Sequence, residues 1–300
     1  GRRSRRELRA VPGPWTWSPH PLAWVVVALG AAGYVAALRR LGPLHAPLGK
    51  VVTPGQVAAF SGALLALGLA LSYPVADLAR HTSAMAHVVQ QLLLVLAVPP
   101  LALLGVPRWL LALATRSPRA EGALRAATHP AVAFVVFNAA LVCAWVPPVV
   151  AAEAGSQGAA DGVHLLLLCA GFVMWIPATR LVPGPRPLSA AARVAYLFAQ
   201  SVVFNFPALI LIFATRPLYA VYAHNVRQAI GIGPVADQQL AGAIAKFIGF
   251  AVLLGAVALI LHHGWRAEEA GEDPDPLLWD DVERELRRLE RRSKGTTDAG

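Results

Sequence analysis

The chain has little charge and almost no cysteine. Charged residues make up 14% of its 300 residues, whereas soluble domains carry about a quarter. Hydrophobic residues make up 56%, and the mean hydropathy is +0.54. This balance excludes an ordinary soluble domain and predicts a polytopic membrane protein. The two cysteines, Cys143 and Cys169, form no CxxC pair, which excludes a disulfide framework and a zinc-finger pattern.

Acidic residues are also few, and the net charge is +9. The basic residues are 23 Arg and 3 Lys, concentrated in the segments between apolar runs and at both ends of the chain. Such a distribution is typical of membrane topology signals and of contact with anionic lipid. We therefore expect the lipid bilayer as a partner and expect no nucleic acid.

Seven apolar runs, bounded by proline, glycine or arginine, cover about residues 22–38, 55–76, 84–106, 130–151, 162–182, 193–214 and 237–261. About 20 helical residues cross the hydrocarbon layer of a bilayer. The predicted fold is therefore all-α, a bundle of about seven transmembrane helices. We divide the chain into an Arg- and Pro-rich N-terminal lead (1–21), a transmembrane domain (22–265) and a charged tail (266–300). Residues 277–292 of that tail have an amphipathic helical pattern.

Lysine and arginine are distributed unevenly among the loops. Loops 1, 3 and 5 carry ten of them, whereas loops 2, 4 and 6 carry three. The positive-inside rule then places loops 1, 3 and 5 and the C-terminal tail in the cytoplasm. This orientation places the five arginines of the N-terminal lead outside the cytoplasm, which disagrees with the positive-inside rule. Giving the loops more weight, we predict a multi-pass protein of a bacterial plasma membrane.

The stretch from His81 to Pro107 carries polar residues inside a span. His87 and Gln91 are four residues apart and share one helix face, which we expect to point into the bundle because unpaired imidazole and amide groups are costly in hydrocarbon. Pro99 and Pro100 follow in the same run, and their missing amides free the carbonyls of residues 95 and 96. The pattern indicates a helix that bears a site.

His87 and His164 are the main metal-ligand candidates. Imidazole binds copper, iron and zinc, and both residues lie near the predicted outer ends of helices. The alternative for each is a hydrogen-bonded residue at a helix end. Cys143 and Cys169 are soft donors that suit Cu(I), with ordinary packing as their alternative.

Lys246 lies near the middle of the last apolar run. An intramembrane charge suggests a functional site, and Asp237 is the nearest acidic residue along the helix. Two interpretations remain open, an ion pair with Asp237 and a lysine stem that reaches the lipid headgroups.

Five motifs occur in this order: HVVQQLLLVLAVPPLALLGVP, HPAVAFVVFNAALVCAWVPP, HLLLLCAGFVMWIP, ATRPLYAVYA and PVADQQLAG. Together they resemble the integral-membrane CtaG-type cytochrome c oxidase assembly factors, over roughly Ser72 to Leu261. The resemblance implies a seven-helix protein without catalysis of its own. It also implies help in supplying copper at the outer face, and partners among oxidase subunits or other assembly factors.

The chain departs from the pattern of that family at several positions. Gln91, Trp145 and Ala160 stand where the family usually has histidine, and Lys246 stands where it has an aromatic residue. Three of five candidate ligands are therefore replaced. Either the protein assists by protein contact alone, or other groups complete the copper site, the candidates being Cys143, Cys169 and Asp237.

Two other functions fit parts of the sequence. A b-type haem or quinone protein would use His87 and His164 as axial ligands from two helices. A small-molecule or ion transporter would place Lys246 at its core, among the proline-broken helices.

Overall fold

The computed structural model describes residues 19–45, 51–185, 187–271, 282–283 and 286–287, and every regular element in these ranges is helical. The α-helices are α1 Pro21–His45, α2 Pro54–Leu71, α3 Val75–His81, α4 Ala84–Leu92, α5 Val98–Gly105, α6 Arg108–Ala114, α7 Pro118–Ala127, α8 Pro130–Trp145, α9 Pro147–Gly155, α10 Gln157–Thr179, α11 Ala190–Phe213, α12 Asn225–Ile230 and α13 Pro234–Glu269. A π-helical turn, Leu93–Ala97, joins α4 to α5, and a 3₁₀ turn covers Ala220–Tyr222.

Within the described ranges, six stretches are long and apolar enough to cross a membrane. They are Pro21–Leu44, Pro54–His81, Ala84–Gly105, Gln157–Thr179, Ala190–Phe213 and Pro234–Glu269. Helices α7 and α8 meet at an angle of 69° and would give a seventh span if counted as one. The prediction of an all-α bundle of about seven membrane helices is therefore confirmed.

The predicted run 130–151 is broken in the structure. Helix α8 ends at Trp145, and Val146 is extended, with φ −72° and ψ 137°. The following proline explains this break, because its ring disfavours a helical conformation in the residue before it. The chain then turns into the short helix α9, which places residues 147–155 beside the start of α10 instead of continuing the span.

The core of the bundle forms where α13 packs against α11 on one side and α4 on another, and where α8 packs against α10. Helix α13 approaches α11 closely at two glycines. A Cβ on Gly242 would lie 2.6 Å from the carbonyl oxygen of Ala208, and a Cβ on Gly249 would meet the Phe204 ring. Helix α1 packs mainly against α2, so it stands at the edge of the bundle.

In the predicted site-bearing helix, the missing amide of Pro99 leaves the carbonyl of Val95 free to accept a hydrogen bond from another helix, as expected. The π-helical turn precedes Pro99, and the carbonyl oxygen of Val95 accepts a hydrogen bond of 2.9 Å from Trp175 Nε1 on α10. This bond satisfies a backbone group inside the span, where no water is available.

Helix α13 continues to Glu269, four residues past the predicted domain boundary. The predicted amphipathic helix at 277–292 lies outside the described residues apart from 282–283 and 286–287. Those four residues are helical, and an ion pair of 3.2 Å joins Arg287 to Glu283 one turn away. The N-terminal lead lies outside the described residues up to position 18.

Candidate functional site

A cavity of about 640 Å³ lies at one end of the bundle, where α1, α4 and α10 begin and α2 ends. Aliphatic side chains of α1, α2 and α10 line one part of it. The polar part includes His87, Gln90, Glu153, Asp161, His164 and Tyr222. The loop charges predict that this end of the bundle faces outward. We refer to this space as the polar cavity.

The two histidines predicted as ligands line the polar cavity from separate helices. His87 lies on α4 and is 3% exposed, and its ring centroid is 6.3 Å from that of Tyr222. His164 lies on α10, with 14% of its side chain exposed. Helix packing therefore brings together two imidazoles that are 77 positions apart in the sequence.

A chain of hydrogen bonds holds the His87 ring. Trp145 Nε1 donates to Gln91 Oε1, and Gln91 Nε2 lies 2.8 Å from His87 Nε2. Because an indole N–H can only donate, it makes Oε1 the acceptor of the Gln91 amide and turns the NH₂ group toward His87. His87 Nε2 is then an acceptor, and the proton of the neutral ring is assigned to Nδ1.

Three positions at which the family resemblance implies histidine lie around the same site. Gln91 and Trp145 bond to each other beside His87, and Ala160 lines the polar cavity one turn from His164. In this chain, amide and indole groups thus occupy two of these positions and satisfy each other. The positions converge in space although they lie in three different helices.

Glu153 is a residue of this site that the sequence analysis missed. It lies on α9, is 5% exposed, and its Oε2 is 3.9 Å from His164 Nε2. Its Oε1 is buried and has no hydrogen-bond partner. Burial raises the pKa of this carboxyl to about 8. One signal was visible in the sequence, because Glu153 is the single charged residue in the segment 130–160.

Asp237 binds a helix end instead of facing the polar cavity. Its carboxylate is fully buried and accepts bonds from Ser83 Oγ at 2.6 Å, the Ala84 amide at 2.6 Å and the Met85 amide at 3.3 Å. A carboxylate at a helix N-terminus satisfies amides that lack partners in the helix and complements the helix dipole. Asp237 therefore ties α13 to the start of the helix that carries His87.

The remaining candidate residues lie away from the polar cavity. Cys143 and Cys169 are exposed on α8 and α10 and are not among the residues that line it. Lys246 is half-buried on α13. Of the two interpretations left open for Lys246, the ion pair with Asp237 is absent from the described part of the chain, because the carboxylate is already bound at the start of α4.

Two tyrosines of the motif ATRPLYAVYA support the wall of the site. Tyr219 Oη donates to the carbonyl of Trp145 at 2.9 Å, and Tyr222 Oη donates to the carbonyl of Ala79 at 2.8 Å. Their rings pack edge to face, with centroids 6.0 Å apart. Burial raises the pKa of both phenols, and the nearby Glu153 raises it further. Both therefore stay neutral and able to donate at physiological pH.

The side chains are not arranged as a ready-made metal centre. Among the described residues, no three of the His, Cys, Asp and Glu side chains lie together in a way that could hold a metal ion. The structure provides the contact between His164 and Glu153, with His87 as a second imidazole on the same cavity. An ion bound to all three would require side-chain rotation within the cavity.

The model of a protein family described as cytochrome c oxidase caa3 assembly factor (Caa3_CtaG) matches residues 32–267. No curated protein and no solved structure matches the chain.

Proposed function

Because the chain belongs to the cytochrome c oxidase caa3 assembly factor family, we propose that it assists assembly of a haem-copper oxidase by holding copper, its cargo, in the polar cavity. One observation carries the proposal: His87 on α4 and His164 on α10 line the same cavity. Imidazole is a good ligand for copper. Two imidazoles from separate helices that open on one space provide the start of a coordination site.

The donors around the polar cavity fit a copper ion after local rearrangement. His87 Nε2 accepts from Gln91, so binding through this nitrogen exchanges one amide hydrogen bond for a metal bond. Glu153 Oε1 is a buried acceptor without a partner. The cavity volume of about 640 Å³ is many times the ~10–15 Å³ of such space that one water molecule needs, so there is space beside these side chains for an ion.

The family match supports a role in assembly, in which the protein presents copper to other proteins and carries out no reaction of its own. Its partners in this proposal are cytochrome c oxidase subunits or other assembly factors. We propose a bacterial plasma membrane location, with the polar cavity outward and the C-terminal tail in the cytoplasm. The excess of Lys and Arg in loops 1, 3 and 5 supports this orientation.

Four alanine variants of the full-length protein test the copper proposal. We expect His87→Ala and His164→Ala each to lower the copper content of the purified protein and the copper content of the oxidase in cells. His129→Ala and His262→Ala are the controls, because both residues are exposed at the opposite end of the bundle. Equal copper loss in all four variants would indicate adventitious binding and would refute the proposal.

A second candidate function follows from the apolar part of the cavity. Leu67, Leu165 and Leu168 line it beside the two histidines, which is the kind of mixed wall that a haem or quinone ring requires. A visible spectrum separates the candidates. Soret and α-bands would favour haem, quinone in an organic extract would favour a quinone site, and copper without either supports the first proposal.

A further inference from the structure

We infer that Glu153 is a metal-binding side chain of the polar cavity and that the site therefore takes Cu(II) in preference to Cu(I). This inference rests on the proposed function, because it concerns the same cavity. It adds a ligand from a third helix, α9, and states the oxidation state of the copper.

The first argument is the unused hydrogen-bonding capacity of Glu153. Its side chain is buried at 5% exposure, yet Oε1 has no partner and Oε2 has only the His164 contact at 3.9 Å. Asp237 offers the contrast within the same protein, since its equally buried carboxylate accepts three hydrogen bonds. A buried acceptor without a partner costs free energy, and a bound cation would remove that cost.

The second argument is the position of the carboxylate. The break between α8 and α9 turns the chain at Val146, so α9 packs against the first turns of α10 and against the 3₁₀ turn that contains Tyr222. Glu153 lines the polar cavity together with both histidines. The cavity is thus walled by two imidazoles and one carboxylate from three helices.

The third argument is the absence of sulfur from the cavity. None of the described residues that line it is cysteine or methionine, and Cys143 and Cys169 are exposed elsewhere on the bundle. Thiolate and thioether ligands select Cu(I), whereas nitrogen and oxygen donors in tetragonal arrangements suit Cu(II). Two nitrogens and one carboxylate oxygen therefore favour the divalent ion.

The charges around the cavity also bear on a divalent cation. The positive charge of Arg80, which lines the cavity, repels such a cation. Nη1 of this arginine donates a hydrogen bond to Gln157 Oε1. Three carboxylates line the same space, those of Asp77, Glu153 and Asp161. The acidic groups outnumber the one arginine, so the field of the lining favours a cation, which would displace the proton that the raised pKa of Glu153 keeps on this carboxyl at neutral pH.

The test compares both oxidation states on the full-length protein in detergent. CuSO₄ titration with EPR spectroscopy measures Cu(II), and competition with a chromophoric chelator under reducing conditions measures Cu(I). For the wild type we expect tighter Cu(II) binding and EPR splitting from two nitrogens. Glu153→Gln should weaken Cu(II) binding by more than about a hundredfold, the upper end of the loss caused by removing an outer-shell partner alone, and should leave Cu(I) binding nearly unchanged.

Two further variants make the result decisive. Glu121→Gln, at the opposite end of the bundle, should bind Cu(II) like the wild type. Glu153→Cys keeps a donor at the position but makes it soft, so the preference should move toward Cu(I). The inference is overturned if Glu153→Gln binds Cu(II) normally or if the wild type prefers Cu(I). Normal Cu(II) binding by Glu153→Gln together with copper loss in the His87 and His164 variants would leave the proposed function standing.

Discussion

The carboxylate of Asp237 on α13 accepts a hydrogen bond of 2.6 Å from the Ser83 hydroxyl, at the residue that precedes α4. The two residues are 154 positions apart, and the contact is fully buried. It joins the start of α13 to the start of α4, the helix that carries His87. One buried acid thereby connects the packing of the bundle to the position of a candidate ligand.

Asp237→Asn should destabilise the protein, because an amide NH₂ group would replace one of the oxygens that face three donors. We expect the free energy of unfolding to fall by about 1–3 kcal/mol. Lys246→Met should be nearly neutral, since Lys246 has no ion pair with Asp237 to lose. Thermal unfolding in detergent measures both variants and the double variant. Additive effects are expected, and a double variant more stable than the sum of the two single effects allows would show that the two residues are coupled.

Gln91→His should strengthen copper binding. The substitution places a third imidazole beside His87, at a position already within hydrogen-bonding distance of that ring. Gln91→Leu is the contrasting variant, because it removes the group that orients His87, and we expect copper affinity to fall by about tenfold. Copper competition assays measure both. A gain of affinity in Gln91→Leu would mean that the amide blocks the site and does not orient the imidazole.

Gly242→Ala should weaken the packing of α13 against α11. The new Cβ would lie 2.6 Å from the carbonyl oxygen of Ala208 and 2.9 Å from Leu211 Cβ, so the helices must separate, at a cost of about 1–3 kcal/mol. Gly255→Ala on the same helix is the control, because its Cβ would have no atom within 4 Å. Gly255→Ala should therefore leave the stability unchanged or raise it by up to about 1 kcal/mol, because alanine favours helix over glycine. Thermal unfolding that shows equal loss in both variants would contradict the close approach.

Cysteine labelling tests the orientation of the bundle. In a variant with Cys143 and Cys169 replaced by alanine, single cysteines at Gln157 and Gln228 should react with an impermeant thiol reagent in intact cells. Both positions are exposed, and both lie in segments predicted to face outward. A cysteine at Arg119, exposed on the predicted inner side, should react only after permeabilisation, and a reporter fused after Gly300 should be cytoplasmic. The reverse labelling pattern would show that the bundle has the opposite orientation in the membrane.

The sequence by itself determined the fold class and which way the side chains of His87 and Gln91 point, toward the interior of the bundle. Backbone groups in hydrocarbon must bond within their own segment, so long apolar runs can only be helices. The same energetics predicted that His87 and Gln91 point inward, and both are buried. The sequence also contained the signal for the break at Val146, since Pro147 disfavours a helical conformation in the residue before it. The predicted run 130–151 nevertheless continued through this position.

Only the tertiary structure decided which groups meet. The sequence left open whether Asp237 pairs with Lys246 on its own helix, and in the structure Asp237 instead binds Ser83 on another part of the chain. Glu153 became part of the site only because α9 folds back against α10. Helical periodicity along one segment states which side chains share a face. It does not state which face of which other helix they will touch, because that depends on the packing of the bundle as a whole.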